Sequence, residues 1–159
     1  MLLIDRLWVI EEQNELYKVF GPPRMPELKS EGAAGFDLAY YGKDISLGPV
    51  GSDNIKVLGT GLRMQIPFGF ELQIRPRSGL AAKHGITVLN TPGTIDCDYR
   101  GEVKIILINH SHERFYISNG DRIAQAVYAT VCNTKRVEGV VVNGSTSRGA
   151  NGFGSTGIA

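Results

Sequence analysis

Ile86-Thr87-Val88-Leu89-Asn90-Thr91-Pro92-Gly93-Thr94-Ile95-Asp96-Cys97-Asp98-Tyr99-Arg100-Gly101-Glu102 runs directly into an apolar segment, Val103 to Ile108. Two β-prone runs bracket a polar segment, so the stretch reads as a β-hairpin that holds a polar site on a rigid sheet. Asp96 and Asp98 are two apart, so in a strand they share a face, with Cys97 opposite. A carboxylate held that way can orient and deprotonate a water. The plain alternative is that both carboxylates satisfy turn amides. Asn90-Thr91-Pro92-Gly93 turns the chain. The hairpin backbone, with the Asn90 amide donating and accepting at once, could read a flat ring edge; Asn90 as an ordinary turn residue is equally compatible.

The same pattern continues outward from the hairpin. Leu2 to Ile10, Ile45 to Leu47, Ile55 to Leu58, Leu62 to Ile66, Phe70 to Ile74, Phe115 to Ile117, Arg122 to Ala129 and Val137 to Val142 are short strand candidates. The chain carries 20 Gly and 7 Pro, which punctuate these runs. Short strands separated by turn residues predict an all-β sandwich or jelly roll and argue against a βαβ architecture. The segment from Glu11 to Glu31 reads mainly as a Pro-containing connection, with a short element possible at Leu16 to Phe20.

At 159 residues the chain is most simply one domain with its own core. Its 17 basic and 16 acidic residues leave a net charge of +1. That balance gives no bulk attraction to nucleic acid or membrane, so any anion site must be local. Cys97 and Cys132 have no C-x-x-C partner and read as reduced thiols. With no cationic-apolar leader and no long apolar run, the expected location is intracellular: cytoplasm, or nucleus for a eukaryotic or viral source. Asn109-His110-Ser111 and Asn143-Gly144-Ser145 match a glycosylation sequon and are read as chance matches.

Arg75-Pro76-Arg77-Ser78-Gly79-Leu80-Ala81-Ala82-Lys83-His84-Gly85 predicts one short helix, with Ser78 as N-cap and Gly85 as the stop. Free amides at its start, beside Arg75 and Arg77, make a phosphate site. The small residues of Gly32-Ala33-Ala34-Gly35-Phe36-Asp37 let the backbone approach a neighbour closely. Gln125 interrupts a buried-looking run and requires a partner. The tail from Ser145 contains G-x-G-x-x-G at Gly152, Gly154 and Gly157, but too few residues follow to form a dinucleotide-binding helix. It reads as a Gly-rich arm that could close over a triphosphate or as a disordered terminus. The domain boundaries expected are 1–144 for the β domain and 145–159 for the arm.

Taken together, these stretches resemble the trimeric dUTP nucleotidohydrolase (dUTPase) family. The resemblance lies in five ordered segments: Ala34-Gly35-Phe36-Asp37-Leu38, Pro76-Arg77-Ser78-Gly79, Gly93 through Gly101, Gly120-Asp121-Arg122-Ile123-Ala124-Gln125, and Arg148-Gly149 through Gly157. It implies a distorted, β-clip-like jelly-roll subunit in a homotrimer whose active sites are shared between subunits. It further implies Mg²⁺-assisted hydrolysis of dUTP to dUMP and pyrophosphate, which limits uracil in DNA and supplies dUMP for dTMP synthesis. By the same resemblance Asp96 activates the water and Gln125 lies near the phosphates and that water. Tyr99 stacks on deoxyribose and excludes a 2′-hydroxyl. Asn90 with Thr94 and Ile95 reads uracil, Lys104 touches the nucleotide through its backbone, and Arg77, Ser78 and Gly79 form the phosphate loop. Arg148 meets the γ-phosphate, Phe153 stacks over uracil, and Gly154, Ser155 and Thr156 complete the arm's contacts. Asp37 corresponds to a structural or outer-sphere metal contact, with Mg²⁺ held mainly by the substrate phosphates. The long connection before the first motif and Pro92 in the hairpin turn depart from the family pattern. Rival readings are dCTP deamination on the same fold and a binding protein that has lost catalysis.

Overall fold

The computed structural model describes residues 7–9 and 14–132. The expected strand at Val137 to Val142 and the arm at 145–159, with Arg148, Phe153, Gly154, Ser155 and Thr156, lie outside the described residues. The described elements are β1 (Leu7–Val9), α1 (Glu15–Phe20), β2 (Phe36–Ala39), β3 (Ile45–Leu47), β4 (Ile55–Gly59), β5 (Leu62–Met64), β6 (Phe70–Arg75), α2 (Ser78–His84), β7 (Ile86–Val88), β8 (Gly93–Ile95), β9 (Lys104–Asn109), β10 (Phe115–Ile117) and β11 (Arg122–Thr130). Antiparallel pairing builds one sheet in the order β2-β11-β6-β8 and another in the order β4-β9-β7. β1-β5 and β3-β10 form two further two-stranded antiparallel ribbons. This is the all-β jelly-roll class expected from the strand spacing.

The hairpin is real but its arms are β7 and β9, with Ile86 opposite Asn109 and Val88 opposite Leu107. Between them β8 departs to pair with β6, placing Thr94 opposite Gln73. The core follows the strand alternation: Ile105 and Leu107 of β9 are fully buried, as are Leu38, Leu47, Leu62 and Leu72 on other strands. Each such side chain contributes about 1.5–3 kcal/mol by leaving water. Asn109 is also fully buried. Its Nδ2 donates to the Gly48 and Glu113 carbonyls at 2.9 and 2.8 Å, and its Oδ1 accepts from the Ser111 N–H at 2.8 Å. The first sequon asparagine is therefore a knot between loops.

Two local readings are refined. The short element before the first motif is the helix α1, capped by Asn14, whose Oδ1 accepts the Leu16 N–H at 2.8 Å. In α2 the N-cap is Arg77, with no side-chain cap bond, and Ser78 is the first helical residue, which corrects the expected Ser78 cap. The cap position falls one residue earlier because Arg77 is extended, at φ −87° and ψ 126°, and its side chain is committed to Asp37. Gly85, left-handed at φ 66°, ends the helix as expected.

Candidate active site

The segments around Asp37, Arg77 and Gln125 meet on one face. In the sheet register Gln125 lies opposite Asp37 on β2 and opposite Arg75 on β6. Three strands thus bring into one row residues far apart in sequence. Arg77 Nε donates to Asp37 Oδ1 at 2.9 Å, and Arg122 Nη1 donates to Asp37 Oδ2 at 2.9 Å. Arg77 Nη1 also donates to the Arg122 carbonyl at 2.9 Å. Gln125 is half-buried, and its Nε2 donates to the Pro76 carbonyl at 2.9 Å, the partner expected for a polar residue in an apolar run. The backbone must come close here: a Cβ on Gly35 would lie 2.8 Å from the Ala126 carbonyl oxygen.

This cluster has a clear chemical capacity. One carboxylate holds two guanidiniums, so the cluster is net cationic. Each guanidinium carries five N–H groups, and the bonds above use only some of them. The amides of Ser78 and Gly79 open α2 beside it, and a Cβ on Gly79 would meet nothing within 4 Å. The combination suits an anion with several oxygens. The role of Arg122 was not assigned from sequence: it lies inside the fourth segment, but its bond to Asp37 spans two strands and leaves no local signal.

The second group of residues belongs to the hairpin. Ile74, Val88, Asn90, Gly93, Thr94, Ile95, Lys104, Ile105 and Ile106 line a cavity of about 30 Å³. Asn90 packs on Gly93, where a Cβ would lie 3.2 Å from Asn90 Nδ2. Asp96 and Asp98 do not share a strand face, contrary to the expectation. β8 ends at Ile95, Asp96 follows it, and Asp98 lies in a turn in which the Tyr99 N–H bonds the Asp96 carbonyl at 3.1 Å. Continuing the ladder by one residue would set Asp96 opposite Glu71, since Ile95 already faces Leu72. Like charges directly opposed are unfavourable, so the strand breaks there. Asp96 is consequently exposed just past a fixed strand end. Tyr99 is 43% exposed, and its hydroxyl donates to the Glu102 carbonyl at 3.0 Å. Its ring lies over Gly101, where a Cβ would come within 2.6 Å of Tyr99 Cζ.

The dUTPase family model matches residues 22–157. That match spans most of the chain. The chain belongs to the dUTPase family. Over 133 residues it is 56% identical to the deoxyuridine 5′-triphosphate nucleotidohydrolase of Nautilia profundicola, covering 84% of this chain and 90% of the relative. With the enzyme of the same name from Treponema denticola the identity is 53% over 136 residues, covering 85% and 92%. Among solved structures, the dUTPase of Staphylococcus bacteriophage 80alpha with dUPNHPP superposes with a TM-score of 0.76 at 23% identity, covering 97% of this chain and 99% of that one. A dUTPase from phage phi11 of S. aureus, described as coordinating a structural Mg(II) ion, superposes with a TM-score of 0.68 at 23% identity, covering 87% and 98%. These likenesses confirm the fold of this dUTPase-family chain. The five segments quoted above fall inside the matched region.

Proposed function

We propose that this chain hydrolyses dUTP to dUMP and pyrophosphate. The observation that carries the reading is the convergence of Asp37, Arg77, Arg122 and Gln125, from three separate segments, into one net cationic cluster beside the α2 amides. That cluster suits the β- and γ-phosphates. Asp96 takes a proton from the attacking water as its oxygen bonds to the α-phosphorus. The bond from the α-phosphorus to the bridging oxygen breaks in line, and the electron pair leaves with pyrophosphate. Arg77, and Arg148 from the arm, balance the charge that develops on the leaving group. Asn90, Thr94 and Ile95 read the uracil edge, with the Lys104 backbone beside them. A cytosine would leave their polar groups mispaired beneath the base, which discriminates more strongly than the thymine methyl does. Tyr99 covers the deoxyribose, and Phe153 with Gly154, Ser155 and Thr156 closes the site.

The donor set fits a divalent ion that arrives with the phosphates. Among the described residues no cluster of three or more His, Cys, Asp or Glu is placed to hold a metal. Both oxygens of Asp37 are occupied by arginines, which leaves it an outer-sphere role at most. Mg²⁺, a hard ion that keeps several waters, neutralises phosphate charge when bound.

Geometry also supports a site shared between copies. β6 runs from near Asp96, beside Glu71, to Arg75, with Arg77 two residues further on. At a rise of about 3.3 Å per residue, the two backbone positions lie about 20 Å apart within one chain. The attacked phosphorus is one bond from its leaving group, so both groups must come within a few ångströms of the same bond. Asp96 from one copy and Arg77 from another satisfy this, as a homotrimer would. The β4-β9-β7 sheet offers a face for such contact: Ile55 and Val57 are 46% and 61% exposed, opposite Ile108 and Ile106.

The test is pyrophosphate release from dUTP, dTTP, dCTP and UTP with Mg²⁺, repeated with EDTA. Release from dUTP alone, abolished by EDTA, is expected. Ammonia release from dCTP, or dUTP binding without turnover, would overturn the reading.

A further inference from the structure

The Tyr99 ring is useful for sugar discrimination only if it cannot retreat. What holds it is not local to the hairpin. Its hydroxyl bonds the Glu102 carbonyl, and the peptide that carries this carbonyl is fixed from outside. The Val103 N–H of that peptide donates to the Leu62 carbonyl at 2.8 Å. The buried Thr60 hydroxyl donates to the Val103 carbonyl at 2.7 Å.

Glu102 adds a second tie with its side chain. Its Oε1 accepts the Gly61 N–H at 2.9 Å. The carboxylate also packs against Gly59 through Oε1, and a Cβ on Gly59 would sit 3.3 Å from Cδ. Gly61 is left-handed at φ 69°, and a Cβ there would come 2.7 Å from the Tyr41 ring and 2.8 Å from Pro23. The turn between β4 and β5 is therefore backed by the segment that precedes the first motif. Tyr41 is itself anchored, its hydroxyl donating to the Gly21 carbonyl at 2.7 Å and its ring meeting Phe20 edge-on at 6.4 Å. Lys104 Nζ is 3.9 Å from Glu102 Oε2, too far for a hydrogen bond. The principal bond of the carboxylate is thus to the Gly61 amide.

We propose that Glu102 is a positioning residue for Tyr99. Its carboxylate ties the end of the hairpin to the β4–β5 turn while its carbonyl holds the tyrosine hydroxyl, and so it sets discrimination against ribose. The inference rests on the reading of Tyr99 as the residue that covers deoxyribose. Base recognition is anchored differently. Gly93, Thr94 and Ile95 are held by the ladder to β6, which Glu102 does not touch. Loss of the carboxylate therefore loosens sugar selection and leaves base selection intact. A general weakening of the fold would not separate the two.

The experiment compares kcat/KM for dUTP, UTP, dTTP and dCTP in the wild-type protein and in E102A, E102Q and Y99F. Ratios of kcat/KM do not depend on the active fraction, so partial unfolding cannot mimic the effect. In E102A the dUTP/UTP ratio should fall about tenfold, the scale expected when a positioned group shifts by a fraction of an ångström. The dUTP/dTTP and dUTP/dCTP ratios should stay within about twofold. E102Q keeps an oxygen for the Gly61 N–H and should recover most of the wild-type ratio. Combined with Y99F, E102A should lower the dUTP/UTP ratio no further than Y99F alone, because both act through one ring. If E102A does not fold, E102D, which keeps the charge but shortens the reach, carries the same comparison. An unchanged dUTP/UTP ratio in a folded variant, or an equal fall in all three ratios, overturns the inference while the functional reading stands. A wild-type protein inactive on dUTP overturns the functional reading and the inference with it.

Discussion

Replacing Asp37 by Asn should weaken both the fold and the substrate site, by an amount that the geometry sets. The carboxylate is 18% exposed and accepts one 2.9 Å bond from each of two arginines. A hydrogen bond to a charged group contributes about 1.5–3 kcal/mol. Arg77 and Arg122 are 25% and 40% exposed, so solvent screening pulls each bond toward or below the lower figure. The amide keeps an oxygen for one arginine and turns an N–H group on the other. One charged bond is lost and one donor faces another donor, for a net loss of about 2 kcal/mol. In a chain of this size that lowers the melting temperature by about 4–8 °C. Arg77 keeps its bond to the Arg122 carbonyl but loses its fixed counter-charge, so kcat/KM for dUTP should fall about tenfold or more, mostly through KM. The assay is thermal melting at one fixed protein concentration together with steady-state kinetics. A melting temperature within about 1 °C of the parent, with kcat/KM within about twofold, would refute the claim that this carboxylate holds the cluster together.

Four other outcomes are expected. Asp96→Asn should lower turnover by about 10²–10⁴ while dUTP still binds, measured by pyrophosphate release and calorimetric titration; near-normal turnover would remove Asp96 as the base. Refolding an equimolar mixture of D96N and R77A chains should restore activity that neither has alone; no recovery would argue that each site is built from a single chain. Gly101→Ala drives a Cβ into the Tyr99 ring and should reduce kcat/KM for dUTP about tenfold; an unaffected rate would show that the ring leaves this position when substrate binds. Tyr128 has a buried hydroxyl with no partner among the described residues, so Tyr128→Phe should raise the melting temperature by about 2–4 °C, and a fall would reveal a missing partner. Burial also pushes the Tyr128 hydroxyl above the ordinary tyrosine value. Above that ordinary value the unfolded chain gives up its proton first, so the stability tied to this group is complete below about pH 10 and is lost as pH rises toward the higher folded value. Tyr128→Phe should therefore flatten the alkaline loss of stability, measured as melting temperature against pH.

The strands were legible because alternation is a local signal. Leu62 to Met64, Phe70 to Arg75 and Arg122 to Thr130 each formed where apolar alternation placed them. Gln125 was legible as a polar residue in need of a partner, although only the fold could supply the Pro76 carbonyl. The failures were long-range. Asp96 and Asp98 read as strand residues because the sequence does not reveal that Glu71 would stand opposite. Ser78 read as a cap because nothing local shows that Arg77 is pulled toward Asp37, 40 positions earlier. Glu102 carries no role in the sequence reading, because its bond to Gly61 spans 41 positions. Local chemistry named the candidate groups, and the contacts that position them came from across the sheet.

β6 explains why the two halves of the site are supported so differently. Its Arg75 end is held by charge: one carboxylate fixes two guanidiniums that would otherwise repel. Its hairpin end carries an aspartate and an aromatic ring beyond a strand of three residues, and neighbouring backbone holds it through Glu102, Thr60 and Leu62. On the proposed reading the cationic half must offer anion-binding donors before substrate arrives, so it needs a counter-charge that leaves some N–H groups open. On the same reading the hairpin half must resist being pushed aside by a 2′-hydroxyl, so it needs stiffness, and hydrogen bonds between Glu102, Thr60 and the neighbouring backbone supply that. With the halves about 20 Å apart along one strand, a defect in one does not reach the other within the chain. Stability losses from D37N and E102A should therefore add in the unliganded protein, as expected for sites without shared partners. If the site is shared between copies as proposed, any coupling between them passes through substrate.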